Sequence, residues 1–203
     1  MVSENKEHWF TRIENMHPYQ TMMYLGMFGS GLIFLFLLLA FLGSQATFSF
    51  FNTLYFPKSF IVSSFVLLAS AYTASQIVPQ YRQDRTEKVK QYLWATLLLG
   101  LAFTGLQFLG WRELAANGID FQGIASGSFL YVLTGIHIIH LVGAMIFAGR
   151  LISKVQACEK DEVKSLILLS NPFDLMTFQL FATYWKFMDI VWIILFFTLI
   201  WVI

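Results

Sequence analysis

Two pairs of ionisable residues stand inside otherwise apolar stretches of this chain: His137 with His140, and Lys186 with Asp189. Each pair is spaced three residues apart, which puts both members on neighbouring parts of one helical face. Histidines in such a place could ligate a redox metal or haem, handle protons, or hydrogen-bond within the protein. Ligation would need further donors from other segments. The only other histidines are His8 and His17, ahead of the first apolar run, and the single cysteine, Cys158, lies in a polar stretch. That supply is too small for a haem held between two helices, a multi-cysteine metal or iron–sulfur site, or an intrachain disulfide. His137 and His140 are therefore expected to be hydrogen-bonded structural residues, with proton handling or lipid contact as the alternatives. Asp189 is expected to pair with Lys186 or with one of these histidines, because charges inside a membrane pair. Lys186 can meanwhile send its long stem to the interface. A proton relay lacks a continuous chain of acids to run on.

Uncharged polar residues form a second pattern. Ser63, Ser64, Ser70, Thr73 and Gln76 fall in one apolar run, and Thr96, Gly100, Thr104 and Gln107 in the next. A third set, Thr134, His137, His140, Ala144 and Ala148, recurs along one side of a later run, and Gly26 and Ser30 add a small pair early in the chain. Small and hydroxyl residues let membrane helices approach closely and hydrogen-bond across the contact. Helix packing is the expected use of these stripes.

The elements that carry these residues follow from composition. Of 203 residues, 57% are hydrophobic and only 12% charged, against about 25% charged in a soluble domain. Residues 22–42, 59–78 and 91–110 are uncharged runs long enough to cross a hydrocarbon core of about 30 Å as helices. Further spans are expected at about 129–150 and 183–203, the last with Lys186 and Asp189 roughly a turn inside its start. Lipid cannot satisfy an open strand's backbone, so each span must be helical. The expectation is an all-α, polytopic membrane protein: a five-transmembrane-helix bundle (22–203) behind a tail (1–21) that has no cleavable signal peptide. The prolines at 18, 57, 79 and 172 are expected outside the helices, which argues against the broken helices of a small transporter.

Charge placement gives orientation. With five spans, ten lysines and arginines fall on the side of the N-terminal tail and the second and fourth loops, and only Lys58 and Arg112 on the other. That bias predicts a cytoplasmic N-terminus and an outside C-terminus. The net charge of +1 gives no sign of a nucleic acid partner.

The stretch from Phe129 to Leu141, with Thr134, Gly135, His137 and His140, resembles a signature segment of subunit III of haem-copper terminal oxidases. The stretch from Tyr184 to Trp192, with Trp185, Lys186, Asp189 and Trp192, resembles the family's second signature, on its last helix. Leu67 to Thr73, with Ser70 and Thr73, is similar to the family's leucine, serine and threonine segment, and Gln107 matches a family glutamine. The resemblance runs from about Met22 to the C-terminus. It departs at Lys186, where the family has histidine. It departs also at Gly29, Ser30 and Gly31, where many members carry a glutamate, and at Gly110, where an acidic residue is frequent.

The resemblance implies the short five-helix bacterial form, in the inner (cytoplasmic) membrane. It implies a subunit with no catalytic, cofactor-binding or metal-binding residue of its own, part of an oxygen-reducing, proton-translocating enzyme but not catalytic alone. Haem and copper would sit in the partner catalytic subunit, subunit I, which this chain would stabilise during turnover while also contacting membrane lipids. His137, His140, Lys186, Asp189, Trp185, Trp192, Gln107, Ser70 and Thr73 become the signature residues, structural or related to lipid or protons. An accessory subunit of a nitric oxide reductase is the nearest alternative, and a haem-bearing electron-transfer subunit a more distant one.

Overall fold

The computed structural model describes residues 17–47, 57–119, 121, 125–159 and 162–202. The N-terminal tail to Met16, with His8, and Lys160 in the fourth loop lie outside the described residues. Among the described residues the only regular elements are helices: α1 Pro18–Thr47, α2 Lys58–Arg82, α3 Thr86–Ala116, α4 Ala125–Glu159, α5 Glu162–Ser170 and α6 Pro172–Val202. All but the short α5 are long and apolar enough to cross a membrane.

The helices outrun the uncharged stretches because charged side chains at their ends need only reach water, not leave the helix. α3 thus includes Glu87, Lys88 and Lys90 at one end and Arg112 and Glu113 at the other. The last helix departs furthest from expectation, starting at Pro172 rather than near 183. Asn171 caps it, with the side-chain oxygen accepting from the Phe173 N–H at 3.0 Å. Proline at the first helical position loses no bond there, and Asp174 in the first turn complements the helix dipole. Lys186 and Asp189 are therefore mid-helix, not a turn from its end; Pro172 to Asp189 is about 25 Å of helix at a 1.5 Å rise. Three of the four prolines also depart from expectation: Pro18 and Pro172 open α1 and α6, and Pro79 lies inside the last turn of α2. That helix then stops at a tight turn in which Asp84 takes a left-handed φ of 56°, a conformation aspartate tolerates better than most residues.

α2 and α3 form a closely packed antiparallel hairpin. Around the bundle α1 touches α4, α4 touches α3, α3 touches α2, α2 touches α6 and α6 returns to α1, while α4 and α6 also meet directly. The core is aromatic and aliphatic, with Phe60, Phe103, Phe178, Phe181, Trp185 and Trp192 all fully buried. Two α3 glycines make room for it. A Cβ on Gly100 would come within 2.9 Å of the Trp185 ring, and one on Gly110 within 2.2 Å of the Phe60 ring. Gly105 on the same helix faces open space, with nothing within 4 Å.

These glycines yield a paired test. Gly110→Ala should destabilise the chain by about 1–3 kcal/mol through overpacking against Phe60. Gly105→Ala should be neutral or stabilising, by up to about 1 kcal/mol of helix propensity. Thermal melts of the two variants in one detergent compare them directly, and equal melts would contradict the packing described.

Candidate functional site

Most of the polar side chains inside the bundle are spent between helices. α6 places Trp185 and Trp192 two turns apart on its buried stripe. Their indole N–H groups donate to α2: Trp185 to the Ser70 hydroxyl at 3.1 Å and Trp192 to Ser64 at 2.9 Å. Between α2 and α3, Gln107 donates to Ser63 at 2.9 Å, and the Thr73 and Thr96 hydroxyls meet at 2.8 Å. Trp111 of α3 donates to Thr134 of α4 at 2.9 Å. Ser30 of α1 meets His140 of α4 at 2.7 Å. The other His140 nitrogen, Nδ1, lies 2.8 Å from the Ile136 carbonyl, to which it can only donate. In the uncharged ring that leaves Nε2 as the acceptor for the Ser30 hydroxyl.

The ends of the bundle carry their own ties. Ser59 at the start of α2 donates to Glu113 near the end of α3, and Tyr81 donates to the Leu168 carbonyl of α5. Lys154 of α4 pairs with Asp174 at the start of α6. Sequence reasoning missed this pair; the Asn-Pro-x-Asp helix start at 171–174 was the available signal.

Three expectations need correction. His137 is not hydrogen-bonded: it is fully buried and neither ring nitrogen has a partner. It packs instead among aromatic rings, with centroids 5.3 Å from Trp192, 5.6 Å from Phe103 and 6.2 Å from Phe34. Asp189 does not pair with Lys186 or a histidine, since both its carboxyl oxygens are buried without a partner. Three residues apart means about 60° apart around the axis, and the edge of the core falls between them. Asp189 is on the stripe with Trp185, Met188 and Trp192, while Lys186 is exposed. Gly26, offered as a packing residue, has nothing within 4 Å of a built Cβ, whereas Ser30, Ala144 and Ala148 are buried as expected.

Chemically, the arrangement is a closed helical bundle whose interior polar groups mostly bond one another. Among the described residues no three histidines, cysteines, aspartates or glutamates come together as a metal-holding group. Fold and interior together define a polytopic helical membrane protein whose signature residues, exposed Lys186 excepted, lie within the bundle. Residues 22–203 match the family described as cytochrome c oxidase subunit III. The chain belongs to that family. It is 26% identical over 138 residues to "Probable quinol oxidase subunit 3" of Staphylococcus aureus (strain USA300), a match covering 67% of this chain and 63% of that protein. It is 31% identical over 136 residues to "Probable cytochrome c oxidase subunit 3" of Nocardia farcinica (strain IFM 10152), covering 66% and 61%. The matched part thus spans less than two thirds of the length of these curated relatives.

The bonded and unbonded groups should respond oppositely to truncation. Ser70→Ala strips the Trp185 N–H of its acceptor and should cost about 0.6–2 kcal/mol. Asp189→Ala removes a buried group that has no partner to orphan, so it should leave the melting temperature unchanged or raise it. A clear loss of stability in Asp189→Ala alone would mean that the carboxyl has a donor.

Proposed function

We propose that this chain is the non-redox subunit III of a haem-copper terminal oxidase. In this role it packs on the large catalytic subunit, subunit I, and stabilises it while that subunit reduces oxygen and translocates protons. The observation that carries this reading is the family match across residues 22–203, which takes in four of the five spans whole and the first from its fifth residue. The interior supports it. Of the side chains that could do chemistry, His137 is buried against Trp192 and half-buried His140 meets Ser30 across a helix contact.

A mild-detergent pull-down on this chain, followed by a reduced-minus-oxidised spectrum, tests the assembly. A large haem-bearing subunit should be recovered in stoichiometric amount, while the chain expressed alone should show no Soret band. Recovery without any haem protein, or a stoichiometric Soret band in the isolated chain, would overturn the proposal. An oxidase lacking this chain should begin at a near-normal rate and lose activity over successive turnovers; an unchanged turnover lifetime would remove the stabilising role.

We infer, from the basic bias of one set of loops, that the N-terminus is cytoplasmic, and, from the resemblance to the short bacterial form of the family, that the membrane is a bacterial inner membrane. Cysteines placed at Arg85 and at Asn117, in a Cys158→Ser background, report this. Both positions are exposed, at opposite ends of α3. An impermeant thiol reagent outside the cell should label position 117 and spare position 85, and the reverse pattern would invert the topology.

A further inference from the structure

Among the described residues, five side chains keep buried oxygens or nitrogens that no group of the chain bonds, and two of the five, Gln107 and His137, share one part of the core. Gln107 is wholly buried on α3 and uses only half of its amide. Its Nε2 donates to Ser63 of α2 at 2.9 Å, and Ser63 gives its own hydrogen to the Phe60 carbonyl, also at 2.9 Å. Its Oε1, which diverges from Nε2 in the amide plane, has no donor in the chain. The neighbours of Gln107 along α3 show what that oxygen faces. Phe103, one turn before it, meets the His137 ring at 5.6 Å, and Trp111, one turn after it, donates to Thr134 at 2.9 Å. Thr134 and His137 are three residues apart on α4, so Gln107 stands opposite the interval between them. His137 is also wholly buried and has no partner in the chain at either ring nitrogen.

An amide oxygen and an imidazole N–H on facing helices bond directly when they can reach. These two do not bond, and each carries its full desolvation cost. Polar groups that face one another beyond direct reach are where a single water bridges. The surroundings narrow the choice of ligand. Phe60, Phe103 and Trp192 wall this part of the core, with the Trp192 ring 5.0 Å from Phe103, 5.3 Å from His137 and 5.9 Å from Phe60. The one polar atom of that wall, the Trp192 N–H, is already given to Ser64. One amide oxygen and one imidazole are too few ligands to hold a metal ion in the dry core, and they offer an anion no fixed charge. In the uncharged imidazole one nitrogen donates and the other accepts. The ligand must therefore be small and neutral, donating to Gln107 while it donates to or accepts from His137.

We propose that one water molecule is bound in the core between Gln107 Oε1 and a ring nitrogen of His137. Two polar partners are what an interior water needs at the least, and these two side chains supply them. The bridge completes a run of hydrogen bonds across three helices at one depth, from the Phe60 carbonyl through Ser63, Gln107 and the water to His137. It ties α4 to the α2–α3 hairpin at the level where Trp192 of α6 packs on His137. The site is internal to the chain and does not depend on which subunits the chain assembles with.

Radiolytic footprinting of the full chain in mild detergent, read by mass spectrometry, tests the site. X-ray pulses split water where it is bound, so a ring beside an interior water gains oxygen even where bulk solvent is excluded. Phe103 should be labelled in the wild type. Phe181, equally buried but packed on Phe147 and Trp185, should stay unlabelled. Gln107→Met and His137→Phe, both close to the native side chains in shape, should each abolish the Phe103 label. Their effects on the melting temperature should not add in the double variant, because either change alone already breaks the bridge. An unlabelled Phe103 in the wild type would overturn the proposal whether or not the variants fold. A label that survives in folded Gln107→Met or His137→Phe would do the same, and so would additive melting shifts. Non-additive shifts without a label would mean that the two side chains bond directly, which would also overturn the bound water.

Discussion

An indole N–H inside a bilayer has no water to bond, so its acceptor must come from the protein. This constraint falls twice on the last helix, at Trp185 and Trp192. Their acceptors, Ser70 and Ser64, lie on a single neighbouring helix. Two bonds at two depths fix both the register and the rotation of α6 against α2. The same logic ties α2 to α3 through Ser63 with Gln107 and Thr73 with Thr96. With α2 held on both sides, the α2, α3 and α6 arrangement leaves one inner face against which α4 and α1 close the ring.

The close approach these bonds require is what makes two α3 glycines necessary. Gly100 admits the Trp185 ring and Gly110 admits the Phe60 ring, which in turn meets Trp192 edge-on at 5.9 Å. Trp192 therefore touches three neighbouring helices: it bonds Ser64 of α2 and packs on Phe103 of α3 and His137 of α4. His137 occupies an aromatic pocket, held by ring contacts rather than by hydrogen bonds. Asp189 sits on the same α6 stripe as both tryptophans, and its carboxyl has no donor. Among the described residues these two side chains, with single oxygens of Gln80, Gln107 and Glu113, are the buried polar groups whose cost the chain itself leaves unmet.

The bonded interior suits the supporting role proposed above. Membership of the cytochrome c oxidase subunit III family gives that role its setting. Among the charged side chains, Lys154 with Asp174 pins α4 to the start of α6.

Much of this was legible in the sequence. The uncharged runs predicted the crossing helices because bilayer thickness sets a length that apolar residues must fill. The serine and threonine stripes announced helix contacts because hydroxyls in lipid must be satisfied by the protein. The signature segments announced the family. What the sequence left open depended on angle and on ends. The start of α6 at Pro172 rests on a cap outside the hydrocarbon, where hydropathy has no say. The difference between His137 and His140, or between Lys186 and Asp189, is a rotation of about 60° about a helix axis. Spacing shows such a pair as neighbours; only packing shows that the edge of the core runs between them. Tertiary structure decided which polar residue found a partner, because the partner in each case lies on another helix, tens of residues away in the chain.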